Sequence, residues 1–381
     1  MRSSISVVKR LVVIFPFVVA PGYLMAQQDL TIYGVVDSGF KYQQIKINNS
    51  RFNGKSTRFG ISDGYYKSSR WGIRGTEELG NGIRVVFLLE SKFKTHDGSS
   101  KRGFNGKSFV GISSDRWGAF TFGRQKSASK EFHSINAVKG IGKAKRAFGG
   151  NGITGNGLIK YVSPIFKGVQ AGASYSVQGT KTRSENYIRN TDTEYYLSLA
   201  MKYRTGPVNV TASYDRERNL DGNKHAKSYT VDNWMLSGTY NFDFIMLALA
   251  YGQDRNGKLN SAGGIKTAAG QKPSISGNEI IGYYNNKGFK SYNTYIGISA
   301  PAGKGKVGVA WSRSSSNLKR VFNNNTSKNL NTETQHIYAA QYSYPISKRT
   351  IAYVHGSYAT GMAYIKGLTS KVAGLGINHR F

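Results

Sequence analysis

Cysteine is absent from the 381 residues, and acids are scarce, 20 against 53 lysines and arginines. No disulfide can staple the fold, and a chain without thiols cannot misoxidise in an oxidising compartment. Past residue 26 there is no apolar run long enough to cross a bilayer as a helix. Any membrane role is left to a β-barrel or to peripheral attachment. Proline and methionine are few, at 7 and 6, whereas glycine and tyrosine number 46 and 25, a balance typical of β-rich, turn-rich chains. The six histidines, at 96, 133, 225, 336, 355 and 379, form no motif and no metal-ligand spacing. No metal, cofactor or hydrolytic triad is expected from them.

What is present begins with an export signal. Arg2, Lys9 and Arg10 precede an apolar run from Leu11 to Ala20, and Leu24-Met25-Ala26 precedes polar Gln27-Gln28-Asp29. Cleavage is expected after Ala26, leaving residues 27–381 as the mature domain. The net charge of +33 suits nucleic acid, anionic lipid or lipopolysaccharide, or small anions in a channel. The export signal, and the absence of a recognition helix or RNA-binding fingerprint, argue against nucleic acid.

Reading for period two gives sixteen candidate strands: 29–42, 69–75, 82–94, 107–113, 118–124, 157–163, 168–177, 194–205, 207–216, 229–241, 244–252, 289–300, 305–314, 333–346, 349–360 and 371–381. In the first, Leu30, Ile32, Val36 and Phe40 share one face, and Thr31, Tyr33, Asp37 and Lys41 the other. Short connections such as "EELGNG", "SDRWG", "RTGP" and "APAGKG" alternate strictly with long polar stretches near 43–68, 95–106, 125–156, 178–193, 217–228, 253–288, 315–332 and 361–370. In an up-and-down barrel this alternation puts every short turn on one side of a membrane and every long loop on the other, whereas a soluble sandwich has no reason to sort its loops. Apolar residues on one parity alone give low mean hydropathy and still a continuous apolar outer band. Tyr161, Tyr203, Tyr240, Tyr342, Tyr344, Trp117 and Phe381 fall near strand ends, where amphipathic rings suit the membrane boundary. The fold expected is an all-β, 16-stranded antiparallel transmembrane barrel.

The blocks "LTIYGVVDSG", "SRWGIRGTEELGNGIRVVFLLES", "FVGISSDRWGAFTFGRQ", "YVSPIFKGVQAGASYS" and "GLGINHRF" resemble the general trimeric porins of Gram-negative outer membranes, in their β-proteobacterial branch. The resemblance implies a homotrimer, a water-filled pore for small hydrophilic solutes, and a third long loop folded into the lumen. It also implies that Phe381 is the signal read by the barrel-assembly machinery. Two features depart from the family pattern. The segment matching the inward loop, 125–156, carries Lys126, Lys130, Lys139, Lys143, Lys145 and Arg146 against one acid, Glu131, where the family usually has an acidic stretch. The arginine usual ahead of the next strand is missing from "ITGNGLIKY".

Rings of Arg and Lys favour anions. The inward parity assigns Arg70, Arg74, Arg84 and Lys160 to a basic wall, with Asp37, Glu90 and Glu131 as acidic counter-charges. Arg124 breaks parity with Phe120 and Phe122, so either a bulge re-aims it or it lies at the strand end. Each arginine could instead pair with one of these acids. The expected activity is an anion-selective diffusion channel. The alternatives are a substrate-selective channel for organic acids or phosphate, or a structural or adhesin barrel; an enzyme is not expected. Basic outer loops such as "KLNSAGGIKTAAGQK" would lie beside lipopolysaccharide phosphates or be simply solvated.

Overall fold

The computed structural model describes residues 28–48, 53–100, 103–133, 152–179, 193–219, 229–256, 274–275, 278–279, 288–318, 320–322 and 329–381. The expected export signal and its expected cleavage point lie outside them.

The barrel strands are β1 (Gln28–Asn48), β2a (Asn53–Asp63) with β2b (Arg70–Gly80), β3 (Ile83–Lys92), β4 (Ser108–Ser114), β5 (Gly118–Lys126), β6 (Thr154–Val162), β7 (Val169–Gly179) and β8 (Thr193–Thr205). There follow β9 (Val208–Asn219), β10 (Tyr229–Asn241), β11 (Met246–Arg255), β12 (Lys290–Ala302), β13 (Gly305–Ser316), β14 (Gln335–Pro345), β15 (Thr350–Thr360) and β16 (Leu368–Arg380). Each pairs antiparallel with the next, and β16 pairs back onto β1 from Val35↔Arg380 to Ile47↔Leu368. The sheet therefore has seventeen strand segments at sixteen positions around a closed barrel, because the second strand is broken. At the seam Gly34 N–H donates to Phe381 O at 3.0 Å, and Phe381 N–H donates back at 3.3 Å.

The expectation of a long loop over 43–68 is corrected. β1 runs on to Asn48 and β2a returns from Asn53, a tall hairpin with Asn48 opposite Asn53. Asp63 stands opposite Ser38 and Arg70 opposite Val35, so residues 64–69 face only Val36 and Asp37 of β1. The surplus folds into the lumen. There Gly64 N–H donates to Asp37 O and Tyr65 N–H to the Tyr353 hydroxyl, both at 2.9 Å.

Parity holds elsewhere. Leu30, Ile32, Phe120, Phe122, Leu236, Leu249, Val309, Leu375 and Ile377 all point outward and are exposed in the isolated chain. Immersing such a side chain in hydrocarbon is worth about 1.5–3 kcal/mol each, which makes the bilayer the missing half of the core. The inner face is lined instead with hydroxyls, among them Ser174, Ser198, Thr211, Ser312 and Ser314, all nearly inaccessible. At the short-turn ends Trp117, Phe120 and Tyr161 form one aromatic group, with Phe120 and Tyr161 ring centres 4.6 Å apart. The turn after β8 needs Gly206 at φ +46, a conformation that a side chain would strain. Among the described residues no helix is long and apolar enough to cross a membrane, and the crossing is made by strands.

Candidate functional site

Between β5 and β6 the chain turns into the barrel and forms a single helical turn, α1 (Ala128–Phe132). Hydroxyls hold it to the wall of β7–β9. The Ala128 N–H donates to Ser174 Oγ at 3.1 Å and the Ser129 N–H to Ser198 Oγ at 3.0 Å. Ser129 Oγ donates to Asp215 Oδ1 at 2.6 Å, which also accepts from the Tyr196 hydroxyl. Thr211 Oγ1 donates to Phe132 O at 3.0 Å, and Phe132 lies over Gly172, where an added Cβ would meet its ring at 3.0 Å. Two of the helix's free N–H groups are thereby satisfied by the wall itself.

This docking uses two of the predicted site residues. Glu131 forms an ion pair with Lys160 of β6. Burial works against ionising Glu131, but Lys160 and, further off, Lys107 and Lys126 outweigh it and hold the carboxyl below its ordinary range. Lys160 thus braces the helix, with its side chain almost covered.

Facing the lumen on β2b–β5 is a group of cations. Arg70 pairs with Glu90, Nε to Oε2 at 3.2 Å, and Glu90 also accepts from the Tyr33 hydroxyl. Lys92 lies within electrostatic reach of Glu90, Arg70, Arg124 and Lys107. Lys126 lies within reach of Lys107, Glu131, Arg70 and Glu90. On α1, burial, together with Lys92, Lys126 and Arg124, pushes the Lys130 ammonium down to about 8. Among the described residues six cations, Arg70, Lys92, Lys107, Arg124, Lys126 and Lys130, therefore share one region with a single carboxylate, Glu90, that is not already tied to Lys160. Arg124 sits at a register shift between Gly123 and Gln125, and its guanidinium donates to Asn105 O and to Asn156. Of the two alternatives foreseen for it the bulge is present, and the strand runs two residues past it to Lys126.

Other predicted residues lie apart from this group. Arg84 is opposite Glu78, beside the short turn, and is held by Asp115 and Glu78. Arg70 is eight residues before Glu78 on β2b, or about 26 Å away at strand rise. Arg84 thus guards the short-turn rim and does not belong to a wall with Arg70. Arg74 lies between, its guanidinium over the Tyr33 ring at 5.8 Å. Asp37 is fully buried beneath the 64–69 insertion, accepting from Lys67 N–H at 2.7 Å, the Tyr353 hydroxyl at 2.7 Å and Asn378 Nδ2 at 2.9 Å. It is a joint of the wall and offers no charge to the lumen surface. Lys139, Lys143, Lys145 and Arg146 lie outside the described residues.

Sequence reasoning missed Lys92 and Lys107. Lys92 shares its parity with Glu90 in "GIRVVFLLESKFK", and that alternation was the available signal. It also missed a second inward turn. Residues 361–367, read as a polar loop, place Met362, Tyr364 and Ile365 against inward-facing Ile45, Ile47, Met235 and Tyr295. The Tyr364 hydroxyl is 2.5 Å from Ser314 Oγ. Among the described residues the walls of β6–β9 and of β10–β16 both carry inward-folded segments.

The profile of the Gram-negative porin family matches residues 12–362. An outer membrane porin protein of Bordetella pertussis is 32% identical over 94% of this chain and 96% of its own length. Among solved structures, the anion-selective porin from Comamonas acidovorans superposes with a TM-score of 0.66 at 20% identity, covering 93% of this chain and 100% of that one. The in-vitro folded OmpT of Vibrio cholerae, in its trimer form, superposes with a TM-score of 0.59 at 13% identity over 93% of this chain and 99% of its own.

Proposed function

Since the chain belongs to the Gram-negative porin family and forms an outer-membrane channel for small hydrophilic solutes, we propose that this channel prefers anions and that the cations of β2b–β5 and α1 set the preference. The observation that carries the proposal is the imbalance at that place, six cations against Glu90 among the described residues. A water-filled lumen does not screen it away, because a permeant ion passes within about a Debye length, ~8 Å at physiological salt. The anion-selective porin of Comamonas acidovorans, which has the same fold, supports this reading. Arg70 is offset by Glu90, which leaves Lys107, Arg124 and the three lysines Lys92, Lys126 and Lys130 as the unbalanced cations. Among the described residues none of these three lysines has an ion-pair partner within 4 Å. The assembly proposed is a homotrimer.

The test is a planar bilayer under a salt gradient. A reversal potential of anionic sign, with conductance entering and closing in threes, is the expected result. A cationic reversal potential would remove the role given to the lysines while leaving the channel in place.

A further inference from the structure

The outward face of β13–β16 changes character with height. Register sets three levels across it. At the lowest, Val309, Ala340, Gly356 and Ala373 lie side by side. One step toward the loops come Trp311, Tyr338, Tyr358 and Lys371. One step further, Arg313 stands opposite His336. The lowest level is a depression, because its residues are small and those above and below are large. It forms part of a groove of about 540 Å³ open to the outside and bordered by Ile296, Ile298, Trp311, Tyr338 and Tyr358. At Gly356 an added Cβ would meet nothing nearer than Val372 O at 3.9 Å.

The polar side chains above the groove are oriented by its rim. Trp311 Nε1–H donates to His336 Nδ1 at 3.3 Å, and the His336 ring stacks between Trp311 and Tyr338. With Nδ1 accepting, the imidazole carries its proton on Nε2, where it can donate again. Lys371 holds its ammonium over the Tyr358 ring at 5.8 Å. Arg313, His336 and Lys371 have no ion pair among the described residues. Side chains of this parity cannot turn into the lumen, and at this height they meet the head-group layer on the long-loop side. Two cations and an imidazole N–H donor above an apolar groove match a molecule with an anionic head and hydrocarbon chains.

We propose that Arg313, His336 and Lys371 bind the phosphate of a phosphorylated outer-leaflet lipid while one of its acyl chains lies in the groove over Ala340 and Gly356. The site is separate from the channel and does not depend on the selectivity assigned to the lysines. It differs from a loop-borne basic patch in needing both parts at once. Phosphate alone finds only solvated cations, and an acyl chain alone finds a groove no better than its neighbours.

The whole barrel in detergent micelles is mixed with hexa-acylated lipid A carrying two phosphates or none, and retained lipid is read by native mass spectrometry. The bisphosphorylated form is expected to bind at least tenfold more tightly than the dephosphorylated form. Arg313→Ala/His336→Ala/Lys371→Ala should abolish that margin, and Gly356→Phe should weaken binding at least tenfold with all three polar side chains in place. Inorganic phosphate at matching concentration should displace no lipid. Equal retention by the triple variant, equal retention by Gly356→Phe, equal binding of the two lipids, or displacement by inorganic phosphate would each overturn the proposal. So would an association of barrels that Gly356→Phe abolishes, since a second copy would then own the groove. Single-channel conductance of each variant confirms that the barrel is folded, so lost lipid binding is read independently of channel function.

Discussion

Replacing Lys92, Lys126 and Lys130 together by glutamine tests the electrostatic account most directly, because the effect has a size and a salt dependence. A monovalent anion passing ~7 Å from one ammonium gains about 0.6 kcal/mol at the dielectric of water, and a cation loses as much. At 0.15 M salt a Debye length of ~8 Å cuts this to about 0.25 kcal/mol, and at 0.01 M a length of ~30 Å leaves about 0.5 kcal/mol. Each lysine then changes the anion-to-cation permeability ratio about twofold at the higher salt and about fivefold at the lower. Three together are worth about tenfold and about a hundredfold. The Arg70–Glu90 pair, Lys107 and Arg124 stay in place, so the variant should keep a much reduced anion preference. The assay is the reversal potential across a bilayer with a fixed concentration ratio, measured at both mean salt levels. A ratio that does not change, or that changes equally at the two salt levels, refutes the reasoning. The first result would place the selective step elsewhere, and the second would make it steric.

Three further outcomes follow from the same geometry. Arg84→Gln, at the short-turn rim beside Asp115 and Glu78, should change the permeability ratio less than about twofold by the same Coulomb estimate. A larger change in reversal potential would restore Arg84 to the selective region. Lys130, on α1 outside the membrane-spanning strands, is charged below about 8 and loses its proton as pH rises through that value. Anion preference should therefore fall between pH 7 and pH 9 in the parent, and the fall should be smaller in Lys130→Gln; equal pH profiles would contradict the assignment. Asp215→Ala removes the common acceptor of Ser129 Oγ and the Tyr196 hydroxyl and leaves them the bonds to Ser127 and Ser198, at about 1–3 kcal/mol in all. Loosened α1 should appear as larger fluctuations in open-channel current with the barrel still intact, and quiet traces would show that the helix is held by other means.

Strand positions were legible because a barrel wall in lipid must be apolar on one parity, and that alternation survives in nearly every strand from Leu30 to Ile377. It failed above the bilayer. Lys46, Asn48, Asn53, Lys55 and Thr57 form a hairpin with no lipid to face, so nothing in their polarity separates them from a loop. Parity also tells which face a charge occupies and says nothing of its height. Arg70 and Arg84 looked equivalent for that reason, although about 26 Å of strand divides them. Asp37 read as a lumen charge because its cover, residues 64–69, is a local surplus in register with no periodic signature. The hydroxyl bed under α1 was invisible for a different reason. Serines at 174 and 198 are ordinary inward residues until a helix from elsewhere in the chain lies on them.

The seam between β1 and β16 has a consequence for the route by which the molecule is made. Asn378 reaches Asp37 across 341 residues of chain, so the contacts that close the barrel lie near the upper limit of contact order. Bringing such distant ends together costs about 5 kcal/mol in chain entropy beyond a constant, and the cost is met before any of the ladder forms. Until then both edges of a very large sheet stay open to pairing with other chains. Once the ladder from Val35 to Ile47 zips, it can part again only by exposing a row of unpaired amides to hydrocarbon. Folding is thus late and hazardous while unfolding is very slow, and the same thirteen residue pairs account for both.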